Sequence, residues 1–495
     1  MNDFLDWLRH DTAGLLILAG TGIALLLFLI IKVKIEPFIA LVGTSVIVAL
    51  LGGITVEELV GSPTKSGDAL IEKGFAGILG HITLIIGLGT VLGAILERSG
   101  GAEVLLGRLV KLFGEKGTPL ALGITGFVLG IPVFFDIGIF VLAPLVYVAA
   151  ARGGKSLALY ALPLLAGLSV THAFLPPHPG PVAAAGLFGI ELGWIILMGL
   201  ACGIPAWFAS GILWGTWIGK RVMVEVPEDR VILEAGGATG GTAPTGGTPG
   251  GNDLMVEASG NRVITEAAEP KRQEPSIGVV ALAIGLPMVL ILGATFGNVF
   301  LPAGTLRDVL VFLGNPAIAL TVAVALSMYL LGTRRGMTAK DLSDLSSASL
   351  KPVGMILLVV GAGAFFGAVL SATGVGKAVA DSLSTAGLPL ILSAYVIACG
   401  MRIAQGSATV AIVTTGGILA PTLTSGDFSQ PQLALIAIAI SSGSIIASHV
   451  NDGGFWIISK YFNMSVKDTL KTWTVLETVL SVVGFAMAVL IYQFV

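Results

Sequence analysis

The sequence predicts an all-α polytopic membrane protein, built as two inverted repeats with about ten spans plus two re-entrant hairpins. Three observations predict it. The 495 residues are 55% apolar and only 12% charged, with a mean hydropathy of +0.94; a soluble domain runs nearer a quarter charged. Apolar runs of roughly 17–25 residues recur from end to end, each enough to cross a hydrocarbon core about 30 Å thick. A glycine-rich motif of the first half returns in the second. This composition excludes an ordinary cytoplasmic enzyme, and the alternating ten-residue pattern of a transmembrane barrel is missing.

Taken in order, ten stretches read as plain or slightly broken spans: 13–31, 35–53, 75–97, 157–180, 192–218, 277–300, 316–332, 352–371, 431–459 and 473–494. The start carries Asp3, Asp6 and Asp11 against one Arg9, which is not the basic opening of a signal peptide, so the first run is expected to remain a span. Residues 118–150 and 388–421 are 33 and 34 residues long, too long for one span and too short for two with a turn. Each is broken near its middle, at Gly130 to Asp136 and at Gly400 to Ser407. Each therefore reads as a re-entrant hairpin, because non-helical backbone at that depth is tolerated only against protein or a wet cavity. With both hairpins returning to their own side, one face holds 21 of the 27 Lys and Arg residues. That face is expected in the cytoplasm, with both termini outside.

Residues 222–275 form the single long polar insertion, with a Gly/Thr/Pro-rich centre from Gly236 to Gly251. So little apolar surface predicts a flexible cytoplasmic linker between two transmembrane domains, 1–221 and 276–495. The halves resemble each other: Gly87-Leu-Gly89-Thr-Val-Leu-Gly93-Ala-Ile-Leu matches Gly361-Ala-Gly363-Ala-Phe-Phe-Gly367-Ala-Val-Leu at a constant offset of 274. A hairpin follows each motif, and after it a span interrupted by a His-bearing polar segment. With five spans per half, the second half is inverted relative to the first. Inverted repeats with broken helices at mid-depth point to a secondary carrier with its site at the repeat interface.

Four polar clusters fall at that depth. Asp136 ends the first hairpin tip; a carboxyl there is costly unless paired, protonated or wetted. It reads as a coupling or substrate-contacting group, or as the N-cap of a helix starting at Ile137. In the second tip, the Arg402 guanidinium suits a carboxylate, and Gln405, Ser407 and Thr409 suit hydroxyls. The alternative for Arg402 is a structural ion pair with Asp136. Between Ser169 and Pro181, four prolines in six residues break the helix and expose backbone groups. There Ser169 and Thr171 offer hydroxyls, while His172 and His178 read as proton carriers or as hydrogen-bonding structure. In the fourth cluster Asn451 offers a donor and an acceptor to a polyol, and Asp452 is a second intramembrane carboxyl, with helix capping as its alternative. Glu477 and His81 read as isolated structural residues, and Cys202 and Cys399 as inert core. No zinc-site spacing is present and no motif calls for a cofactor. The net charge of −3 says nothing about nucleic acid, because the basic residues sit in the inter-helix loops, and no nucleic-acid partner is expected.

Gly-Ile-Pro-Val-Phe-Phe-Asp at 130–136, Thr-His-Ala-Phe-Leu-Pro-Pro-His-Pro-Gly-Pro at 171–181, Ser-His-Val-Asn-Asp-Gly-Gly-Phe-Trp at 448–456 and Leu-Lys-Thr-Trp-Thr-Val-Leu-Glu-Thr at 470–478 resemble the gluconate permease (GntP) family of proton symporters. The resemblance covers nearly the whole chain outside 222–275. It implies uptake of gluconate or a related hydroxy acid across a bacterial inner membrane, by proton symport with alternating access. Members of the family also move idonate, fructuronate or D-serine. Arg402 is then expected to hold the carboxylate, with Gln405, Ser407, Asn451, Ser169, Thr171 and His178 meeting the rest of the substrate. Asp136 or Asp452, helped by His172, would take the proton. The partners so implied are a gluconate-like monocarboxylate, protons and membrane lipid, with a homodimer left open. A sodium-coupled carrier of another small carboxylate or amino acid is the first alternative, and an intramembrane hydrolase the second.

Overall fold

The computed structural model describes residues 2–61, 69–226, 274–375, 378, 389–449 and 452–495. Residues 227–273, most of the expected linker, lie outside the described residues. Among the described residues every regular element is helical, and ten helical stretches are long and apolar enough to cross a membrane.

The membership of that ten differs from expectation. The second arms of the two expected hairpins, Phe135–Gly153 and Ala408–Ser425, are 19 and 18 residues long and qualify by themselves. Conversely, Pro37–Leu51 falls short, and the expected span 431–459 is two helices, Gln430–Gly443 and Gly453–Tyr461. Hydropathy alone ran through that gap because Ile445 and Ile446 keep the local average apolar. The first arms are shorter: Thr118–Gly130 has 13 residues, about 20 Å of helix. The expected span 157–180 is likewise interrupted, as Leu157–Phe174 and Pro179–Phe188.

Local chemistry explains the boundaries. The Ser156 side chain accepts from the Ala158 amide at the start of Leu157–Phe174. Ser429 and Gln432 form a capping box ahead of Gln430–Gly443. Gly406, in the left-handed region at φ +87, ends Leu390–Gln405, and Ser407 caps the next helix at once.

Leu157–Phe174 is the axis of the core, buried on every side except at His172. It packs backbone to backbone on Thr118–Gly130: a Cβ on Gly126 would lie 2.3 Å from the Leu164 carbonyl oxygen, and one on Gly167 2.4 Å from the Phe127 nitrogen. Leu70–Arg98 backs onto the break between Gly130 and Phe135, where a Cβ on Gly93 would lie 2.2 Å from the Pro132 carbonyl oxygen. In the second half Val353–Ala372 packs in the same close manner on Ala408–Ser425 through Gly367 and Gly417. These contacts flank three of the helix breaks, at 131–134, 175–178 and 406–407, and a fourth break opens after Gly443.

Candidate functional site

Two of the cavities among the described residues are similar in size and lined from both halves of the chain. One, of about 490 Å³, is lined largely by aliphatic side chains and glycines, with Glu191, Asn298 and Asn315 at its rim, and contains none of the four polar clusters. The other, of about 470 Å³, is lined from all four breaks: Phe134 to Ile137, then Ser169, His172 and Pro179, then Arg402 and Gly406 to Thr409, then Ile445 and Asp452 to Gly454. Pro352, Ile356, Ile457 and, from the last long helix Val466–Tyr492, Trp473 and Glu477 complete it. Both volumes lie in the range of small-molecule sites. Only the second concentrates charge, so the chemistry selects it.

Asp136 stands in the first turn of Phe135–Gly153, whose cap position is Phe134 with no side-chain cap bond. The helix begins two residues earlier than expected, so Asp136 is not its N-cap. The carboxylate is exposed to the cavity and makes no hydrogen bond among the described residues. The positive end of the helix dipole offsets part of its charge.

The Pro-rich break divides its residues between two jobs. Ser169 and His172, three apart on one helical face, reach the cavity. Thr171 is fully buried and donates to the Gly167 and Leu168 carbonyls at 3.0 and 3.1 Å. His178 is also outside the lining: its Nε2 lies 2.6 Å from the Gly130 carbonyl oxygen and ties the two first-half breaks together. The His172 ring lies 4.8 Å from that of His178, centre to centre, and its Nδ1 is buried without a partner.

In the second half, Arg402 occupies the last turn of Leu390–Gln405 and is 5% exposed. Its Nη1 donates to the Gly406 carbonyl, its Nη2 donates to Asp452 Oδ2 at 2.5 Å, and its Nε has no partner. The expected structural partner, Asp136, is thus replaced by Asp452. The two sit at adjoining breaks of the same half, whereas Asp136 comes from the other. Asp452 caps Gly453–Tyr461 through Oδ1, which accepts from the Gly454 amide at 2.9 Å, while Oδ2 also accepts from the Ser448 hydroxyl. Ser448 Oγ in turn accepts from Trp473 Nε1 at 2.8 Å, and the Trp473 ring stacks on Phe135 of the first half. Ser407 lines the cavity while accepting from the Val410 amide. Asn451 and the side chain of Gln405 lie outside the described residues, as does the side chain of His81.

Glu477 is the residue that sequence reasoning set aside. It is 1% exposed, it lines the cavity, and its Oε1 has no hydrogen-bond partner. It lies within electrostatic reach of Ser169, Arg402 and Asp452. The available signal was its spacing: Trp473 and Glu477, four apart, share one helix face. The lining thus sets three carboxyls, Asp136, Asp452 and Glu477, against one guanidinium. Such a site can hold an anion on the arginine and exchange protons on the carboxyls.

Comparison with known proteins places the chain in a family. Residues 14–236 and 254–495 match the profile of the GntP family permeases. The inner membrane permease YgbN of Escherichia coli K12 is 38% identical over 483 residues, 96% of this chain and 98% of that protein. A gluconate permease of Pseudomonas aeruginosa is 37% identical over 486 residues, 98% of this chain and 98% of that protein. Among solved structures, the YdaH transporter of Alcanivorax borkumensis matches with a TM-score of 0.57 over 92% of this chain and 96% of that one, at 14% identity, a likeness of fold alone. With full-length relatives at this identity and a profile match along nearly the whole chain, the protein belongs to the GntP permease family and is a multi-pass membrane transporter, not an enzyme.

Proposed function

We propose that this transporter imports gluconate or a closely related sugar acid across the bacterial inner membrane by proton symport, alternating access around the charged cavity. One observation carries the reading most: four separate helix breaks in an otherwise apolar protein converge on one cavity that contains a single arginine. The names of the relatives supply the substrate class and the membrane. Arg402 would meet the carboxylate, and Ser169, Ser407 and Thr409, with Asn451 and Gln405, would meet hydroxyls. Thr171 and His178 would support the site from behind its lining. The coupling proton would ride on a cavity carboxyl, Asp136 or Asp452, beside His172.

Charge arithmetic favours coupling. A monoanion entering against a negative-inside potential costs about 2.3 kcal/mol per 100 mV, which one proton cancels and a second converts into a net drive. Proteoliposomes with an inward proton gradient in sodium-free buffer are expected to accumulate labelled gluconate, and an ionophore to abolish the accumulation. Absence of uptake, counterflow and binding would remove gluconate as the substrate. A sodium-coupled carrier of another small carboxylate or amino acid is the second reading, because the cavity has three carboxyls to one guanidinium. Uptake that needs sodium and ignores the proton gradient would select it.

A further inference from the structure

We propose that proton and substrate are coupled by exchange at Arg402: the substrate carboxylate replaces the Asp452 carboxylate on the guanidinium, and Asp452 withdraws as the neutral acid. This rests on the symport reading above and names its coupling residue. Nε and Nη2 share one edge of a guanidinium, the edge that pairs side-on with a carboxylate. Asp452 uses that edge incompletely. Its Oδ2 takes Nη2 at 2.5 Å, but its Oδ1 is engaged by the Gly454 amide, and Arg402 Nε is left buried and unpartnered. A substrate carboxylate, free of capping duty, can engage both nitrogens and satisfy the donor that Asp452 leaves open.

The balance is simple. A proton from the uptake side adds to Asp452 Oδ2 and breaks the ion pair; the substrate carboxylate then accepts from Nε and Nη2. One carboxylate faces one guanidinium before and after, so no uncompensated anion is created in a low-dielectric site. The new O–H has an acceptor in place, because Ser448 Oγ already lies against Asp452 Oδ2. Oδ1 can keep the helix cap throughout. The other titratable groups lining the cavity with the pair are Asp136 from Phe135–Gly153, His172 from Leu157–Phe174 and Glu477 from the last long helix, and His449 belongs to the break itself. Among the described residues neither Asp136 nor Glu477 is bonded to Arg402.

Gluconate binding to the purified full-length protein, titrated over roughly three pH units, tests the exchange. Uptake of one proton with each substrate makes wild-type affinity fall about tenfold per pH unit wherever the unliganded site carries no proton. Asp452→Asn, which preserves an N-cap, is expected to flatten that slope, to bind at least about tenfold more tightly than wild type at the alkaline end, and to lose uphill accumulation. Asp136→Asn and Glu477→Gln, taken through the same titration, are expected to keep a pH slope. An Asp452→Asn protein that retains the wild-type slope or proton-driven accumulation overturns the proposal while leaving symport intact. Should that variant not fold, wild-type protein in weak buffer decides: binding at alkaline pH must take up one proton per substrate, and binding without uptake overturns the exchange. Wild-type protein that binds no gluconate overturns the exchange and the gluconate reading together.

Discussion

Arg402 has two of its nitrogens committed within its own half, and only its planar fork can serve a carboxylate on the side-on edge while Nη1 stays on Gly406. Lysine supplies charge without that geometry. Arg402→Lys is therefore expected to raise the apparent KM for gluconate about thirtyfold, about 2 kcal/mol, in proteoliposome uptake. His178 belongs to a different class. It holds the Gly130 carbonyl in a place from which water is excluded, so His178→Ala should leave a buried acceptor unpaired and cost about 1–3 kcal/mol. A lowered thermal unfolding midpoint in detergent checks this; an unchanged midpoint would mean that the contact contributes nothing to the fold.

At the scale of elements, the breaks are held in place by close packing as much as by their own sequence. Gly93 leaves no room for a side chain against Pro132, so Gly93→Ala must move either Leu70–Arg98 or the first break. Overpacking of this kind costs about 1–3 kcal/mol. Thermal unfolding should report it, together with reduced uptake, since Phe134 to Ile137 line the cavity. The positions of three breaks were legible in the sequence, because Pro132, the proline run at 176–181 and the Gly406-Ser407 pair disfavour continuing a helix. Their lengths were not. The second arms are long enough to cross a membrane, and 431–459 divides in two, because hydropathy averages over a gap that only backbone geometry exposes.

For the whole molecule, the basic loops predict an orientation that impermeant labelling can read. Phe494 near the C-terminus and Lys467 in the first turn of the last long helix are both exposed. A maleimide reagent added to intact cells is expected to label Phe494→Cys and to reach Lys467→Cys only after permeabilisation. The opposite pattern would place the basic loops outside and both termini in the cytoplasm. Native Cys202 is buried and Cys399 only partly accessible, so a background-labelling control in the parent protein suffices.

The helical membrane class, the breaks and the four polar clusters were determined by the sequence itself, because apolar run length and helix-breaking residues act locally along the chain. Helical periodicity even separates Ser169 and His172 from Thr171, which lies about 100° from His172 around the axis. Tertiary structure alone decided who meets whom. It gave Arg402 to Asp452 rather than Asp136, moved the helix start back so that Asp136 caps nothing, turned His178 onto Gly130, and brought Glu477 to the cavity. Each outcome depends on the rotation and docking of helices far apart in sequence, and helix rotation is fixed by packing against neighbours.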